Sequence, residues 1–151
     1  MKSRYMFPSI AFVFISIMAL YFLLNPSYEK SIEAKYYFEV GEYEEAYTLA
    51  QEAFELDVYN RMASTIMAQS KIALKYVKYI QQAQKFLKEI NTIAEQESIS
   101  DADRAKIKMM SEIMVDSYVK LTSSVITDKE LVQKARHYHD DFEKLLAKVT
   151  H

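Results

Sequence analysis

The chain has three histidines, His137, His139 and His151, and no cysteine, so imidazole is the obvious candidate for catalysis, and a metal site would have to combine it with carboxylates. The run His137-Tyr138-His139-Asp140-Asp141 sets two of them beside two carboxylates. On a helix, residues two apart point about 200° away from each other, so His137 and His139 cannot share an ion. His137 and Asp141 do share a face, but two ligands do not close a site. No metal and no other cofactor is expected, and His139, flanking an apolar stripe, is expected to pack half-buried. Carboxylate pairs such as Glu44-Glu45 belong to a solvated helix face. There is no Gly-rich phosphate loop, no HExxH and no Ser-His-Asp order. An enzyme, and with it a small-molecule substrate, is not expected.

Charge is the second feature with chemical content. The whole chain carries 19 basic and 21 acidic residues, a net charge of −2, which disfavours nucleic acid as a partner. Residues 28–60 hold nine acids and two bases, whereas residues 61–95 hold six bases and two acids. Lys71, Lys75, Lys78 and Lys85 recur at helical spacing and form a possible basic strip for an acidic partner or lipid headgroups. The plainer alternative is that neighbouring segments neutralise each other, and that reading is preferred.

These side chains must be carried by helices. A single Gly and two Pro in 151 residues imply long helices and short turns, and no alternating β-branched runs with Asn-Gly or Asp-Gly turns are present. The fold class expected is all-α: an N-terminal transmembrane helix followed by about six antiparallel helices stacked as hairpins. Residues 1–5 form a short N-terminus. Residues 6–24, MFPSIAFVFISIMALYFLL, hold no charge and make a helix of about 28 Å, near the ~30 Å hydrocarbon thickness. Pro8 falls in the first turn, and Tyr5 and Tyr21 fall near the two interfaces. The exit Leu23-Leu24-Asn25-Pro26 lacks the small residues of a cleavage site, so an uncleaved anchor is expected, with the lipid bilayer as a partner. Lys2 and Arg4 before the span and acidic residues after it place the N-terminus in the cytoplasm and the domain outside it, in the periplasm of a bacterial inner membrane.

Asn25-Pro26-Ser27 signals the next helix start. Apolar residues then recur at Ile32, Tyr36/Tyr37 and Val40, Gly41 interrupts, and Tyr43, Ala46, Leu49/Ala50, Ala53 and Leu56 continue, which predicts a tight helical hairpin. Ala68, 34 residues after Ala34, sits among Met62, Ile66, Met67 and Ile72. Tyr79, Ala83, Phe86, Leu87 and Ile90 follow. Residues 61–95 are read as a second hairpin turning near Tyr76–Lys78, with one long helix as the alternative. Ser100 and Asp103 cap a further helix bearing Met110, Ile113/Met114, Tyr118, Leu121 and Val125. Thr127-Asp128-Lys129-Glu130 reads as a capping box for a last helix with Leu131, Ala135, Tyr138, Phe142, Leu145 and Val149. Residues 96–151 thus form a C-terminal hairpin.

The segment from Ala34 to Ala46, AKYYFEVGEYEEA, with Gln51 to Asp57, resembles the tetratricopeptide repeat family over Ser27–Asn60. The resemblance is carried by small residues at Ala34, Ala46 and Ala53, aromatics at Tyr37 and Tyr43, and the turn glycine Gly41. Lys30, Glu33 and Val58 depart from the pattern. The 34-residue period extends it, in degenerate form, over 61–95, leaving 96–151 as a divergent repeat or cap. The resemblance implies a partner-binding groove at Tyr28, Ser31, Lys35 and Phe38 in the first repeat and Met62, Thr65, Gln69 and Ile72 in the second. Of the Lys/Asn set that clamps a C-terminal carboxylate in some relatives only Lys35 is present. The function expected is a membrane-anchored scaffold that binds protein partners, other proteins of a membrane-associated complex or a second copy of itself, to assemble or position a cell-envelope machine such as a secretion, motility or division apparatus. The alternative is a periplasmic holdase-type chaperone near the translocon.

Overall fold

A computed structural model describes residues 6–122 and 127–150. Lys2, Arg4 and Tyr5 before the first helix, and Val125, lie outside the described residues. Within them the protein is all-helical, with six helices and no strand: α1 (Met6–Leu24), α2 (Pro26–Glu39), α3 (Tyr43–Leu56), α4 (Arg61–Ala94), α5 (Asp101–Tyr118) and α6 (Lys129–Thr150). By its contacts the chain divides into an N-terminal unit, residues 1–70, and a C-terminal unit, residues 71–151.

In the N-terminal unit, α1 coincides with the apolar stretch read from the sequence. Of its described side chains all but Ser16 are exposed, among them Phe7, Phe12, Phe14, Ile15, Ile17 and Leu24. No single helix among the described residues is long and apolar enough to cross a membrane. Phe7–Tyr21 and Pro26–Glu39 meet that requirement only together, as a pair bent by 70°. The bend falls at Asn25, whose side chain accepts a hydrogen bond from the Ser27 N–H at 3.0 Å and caps α2, with Pro26 in the first turn.

α2 and α3 form an antiparallel hairpin closed at Gly41. Its φ of +86° is left-handed. The Glu42 N–H donates to Tyr37 O at 2.9 Å and the Gly41 N–H to Phe38 O at 3.2 Å, the paired bonds of a Schellman turn. A Cβ added at Gly41 would meet nothing within 4 Å, so only backbone conformation opposes a side chain there. Gly41→Ala is expected to destabilise the hairpin by about 1–2 kcal/mol, read as a lower urea midpoint at unchanged slope, with Gly41→Asn losing less because asparagine tolerates the left-handed region.

Ala34, Ala46 and Ala50 are fully buried and, with Ile66 from the start of α4, form the core of this unit; Tyr37, Phe38, Leu49 and Met67 pack on it half-buried. Tyr43 and Ala53 are buried as well. Small residues on both helices let the backbones approach, and the Phe38 and Tyr43 rings meet edge-to-face at 5.4 Å. The inward face of α2 carries Ser27, Ser31 and Ala34. Of the apolar positions Ile32, Tyr36/Tyr37 and Val40, Tyr37 packs on this core, while Ile32, Tyr36 and Val40 are exposed on the face that also carries Glu29, Glu33 and Glu39.

The expected turn near Tyr76–Lys78 is absent: residues 61–94 are one helix, so five helices rather than about six follow α1. No Gly or Pro interrupts the 34 residues. Buried Ala63, Ile66, Ser70, Ala73, Tyr76, Ile80, Ala83 and Ile90 keep spacings of three and four, or seven, straight through the region, so a turn would break a continuous inward face. Ala68 does not repeat the role of Ala34. It is exposed, lying about 200° around the helix from Ile66 and Ser70.

The C-terminal unit is built from α4 after Ser70, α5 and α6. Its core holds Tyr76, Tyr79, Ile80, Ala83, Ile90 and Ile93 from α4, Ile107, Met110 and Met114 from α5, and Ala135 and Phe142 from α6. Leu131, Tyr138, Leu145 and Val149 line the same face of α6, as their spacing predicted. Ser100 caps α5, accepting from the Asp103 N–H at 3.1 Å. At α6 the cap lies one residue later than the Thr127 box implied, since Asp128 Oδ1 accepts from the Glu130 N–H at 2.8 Å. Lys106 and Glu89 pair between α5 and α4.

Candidate partner surface and polar sites

The eight groove positions divide by burial. Lys35, Met62 and Thr65 are exposed, Tyr28, Phe38, Gln69 and Ile72 are half-buried, and Ser31 is fully buried. Phe38 serves the hairpin core and Ile72 the core of the C-terminal unit. Lys35 lies 3.7 Å from Glu39, an exposed i,i+4 pair of small energetic weight. Ser31 is withdrawn from any groove by a buried polar network.

Asn60 is the node of that network. Its Nδ2 donates to Ser27 Oγ and Ser31 Oγ, each at 2.8 Å, and approaches Ser27 O at 3.3 Å, while its Oδ1 accepts from the Ala63 N–H at 3.1 Å. Ser27 Oγ in turn donates to Ala53 O and Ser31 Oγ to Ser27 O, both at 2.8 Å. The side chain therefore caps α4 while tying its start to α2, and Ser27 ties α2 to α3. All three residues are at most 1% exposed. Sequence reasoning passed over Asn60. The signal was an N-capping residue directly before a helix, together with serines four apart on a neighbouring one.

What α2 offers outward is a mixed face, in which apolar residues alternate with the exposed Glu29, Glu33 and Glu39. Ile32, Tyr36 and Val40, at i, i+4 and i+8, are each more than half exposed, and Tyr36 meets Tyr37 edge-to-face at 5.6 Å. Leu56, Val58 and Tyr59 at the end of α3 are exposed too. The periodicity of Ile32, Tyr36 and Val40 was visible in the sequence, as were the three glutamates that share their face.

The histidines sit as helical geometry requires. His137 pairs with Asp141 at 3.4 Å, and His139 is half-buried, stacked on Tyr118 with ring centroids 4.2 Å apart. The His139, Asp140 and Glu143 donor atoms lie within 4.8 Å of one another, a grouping that needs Glu143, which the sequence reading did not consider. Asp140 and Glu143 are exposed carboxylates, which water solvates without an ion. Behind Tyr118 lies Tyr79, its ring 5.8 Å away. Burial pushes the Tyr79 phenol well above the ordinary tyrosine range, and nearby Tyr118 and Asp140 push it further.

Of the basic strip, Lys75 and Lys78 line one open pocket of about 330 Å³ together with Lys120, while Lys71 and Lys85 lie outside its lining. A second open pocket, of about 450 Å³, is walled by Gln84, Lys88, Asn91, Thr92, Glu95 and Tyr138, the Gln84 amide donating to the Tyr138 hydroxyl at 3.2 Å. No protein-family model, curated protein or solved structure matches the chain.

Proposed function

We propose that this protein is a single-span, membrane-anchored helical scaffold that captures protein partners and holds them in a cell-envelope assembly. In this reading α1 is the anchor, the N-terminus is cytoplasmic and the helical units are periplasmic. The α2–α3 hairpin is a tetratricopeptide-like repeat that presents the docking face. The observation that carries the reading is the apolar surface that the N-terminal unit does not cover for itself: the described apolar side chains of α1 and, after it, Ile32 and Tyr36 on α2 with Val40 at its C-terminal cap. Exposed aromatic and aliphatic residues at helical spacing suit a partner helix, and tethering beside a membrane raises the local concentration of membrane-bound partners. The docking residues are thus Ile32, Tyr36 and Val40 with Lys35 at their edge, rather than Ser31 and Phe38, which the hairpin uses internally.

The test is affinity purification of the full-length protein from gently solubilised native membranes. One or two partners at fixed stoichiometry are expected, and Ile32→Glu with Tyr36→Glu should reduce their recovery at least tenfold without changing helicity. Undiminished recovery from the double variant sinks the docking face. A broad spread of unfolded exported proteins instead favours the holdase. A C-terminal tag reached only from the cytoplasmic side would reverse the orientation.

A further inference from the structure

Every basic group lining the 330 Å³ pocket of the C-terminal unit is a lysine, and among the described residues none of them forms an ion pair. Lys75, Lys78 and Gln82 project from one face of α4, at steps of three and four, and Ser117 and Lys120 come from the end of α5 and the turn after it. Among the described residues no carboxylate pairs with Lys75, Lys78 or Lys120; Lys71 and Lys85 are unpaired too, and what sets the three apart is that they line one opening. The pocket wall includes Tyr79, only 4% exposed, whose buried hydroxyl has no hydrogen-bond partner. Among the described residues no acidic side chain lines the pocket. Asp140, which bears on the Tyr79 phenol, is on α6 and outside the lining.

Three ammonium groups lining one opening make a positive potential there that favours an anion. Neutral donors are at hand in the Gln82 amide and the Ser117 hydroxyl. The charge count calls for a multiply charged anion. The absence of arginine argues against bidentate carboxylate recognition and for phosphate, which ammonium groups bind as point charges. The volume falls at the lower end of ligand pockets and exceeds what a bare phosphate fills.

We propose that Lys75, Lys78 and Lys120, with Gln82 and Ser117, form a binding site for a phosphate-bearing ligand, either a soluble phosphorylated compound or an anionic lipid headgroup. The site is independent of the α2 docking face.

Full-length protein in dodecyl maltoside micelles is titrated calorimetrically with inorganic pyrophosphate, and separately with micelles doped with phosphatidylglycerol or phosphatidylcholine. Saturable binding of one pyrophosphate per chain supports a soluble ligand. Saturation by phosphatidylglycerol but not phosphatidylcholine, with pyrophosphate unable to displace it, supports a headgroup. In either case Lys78→Gln with Lys120→Gln weakens binding at least tenfold, and Lys71→Gln with Lys85→Gln, outside the pocket, changes it less than twofold. Circular dichroism checks that all variants stay folded. Binding to neither probe, or equal losses from both lysine pairs, overturns the site. Tighter binding of polyglutamate than of pyrophosphate also overturns it, in favour of an acidic peptide.

Discussion

Phe142→Ala is expected to destabilise the C-terminal unit by about 3–5 kcal/mol. Phe142 has no exposed surface and lies in the same cluster as Met110 and Met114 of α5 and Ile80 and Ala83 of α4. Removing the ring takes away the transfer free energy of a large apolar side chain and leaves a void that fixed helices fill only in part. The two methionines are the neighbours best able to flow into it, which sets the lower end of the range. Small domains hold about 5–15 kcal/mol in total, so the variant should lose much of the unit's stability. Urea unfolding followed at 222 nm, with hydrogen exchange over 101–118 and 129–150, reads the effect. Phe142→Leu should recover more than half of the loss. A cost under about 1 kcal/mol would show that the ring is not in the core, since large-to-small changes at buried sites cost more than that.

Asn60→Ala should destabilise the N-terminal unit by about 2–4 kcal/mol. One part is the lost cap on α4, which is worth about 1 kcal/mol. The larger part is the donor withdrawn from two buried serine hydroxyls, whose oxygens no water reaches. Because the three side chains act as one network, the effects should not add: Asn60→Ala should cost measurably less in a Ser31→Ala background than alone. Asn60→Asp keeps the capping oxygen but buries a carboxylate, so it should remain destabilising, increasingly so above the carboxyl's pKa. Hydrogen exchange of α2 and α3 amides distinguishes this from global unfolding. Additive costs in the double variant would mean that Asn60 and Ser31 do not share a proton network.

The two halves of the molecule depend on different residues in these experiments. The N-terminal unit has a core of alanines and serines, so directional bonds and close helix approach carry a large share of its specificity. The C-terminal unit has large apolar side chains, and packing dominates. The unpaired lysines of the C-terminal unit sit on the outward side of a well-filled core, and substituting them should leave stability within about 0.5 kcal/mol.

The sequence by itself determined that the chain is helical, because one glycine and two prolines leave few places to turn. It also located the Gly41 hairpin, the Asn25 and Ser100 caps and the inward face of α6, each of which depends on residues within a turn or two of one another. What holds the inward face of α2 in place was visible only in the tertiary structure. Ile32, Tyr36 and Val40 share their face with Glu29, Glu33 and Glu39, which keep it in water, while Ser27, Ser31 and Ala34 turn inward, because they permit close approach and Asn60, 33 and 29 residues away from the two serines, satisfies their hydroxyls. The continuity of α4 was open in the sequence, where a 34-residue period suggested a second hairpin. The unbroken inward face from Ala63 to Ile90 decided for a single helix. Lys75 and Lys78 were visible as a strip, but a strip is one-dimensional. Their convergence with Lys120 depends on where the end of α5 meets α4, and no local pattern encodes a contact between residues more than forty positions apart.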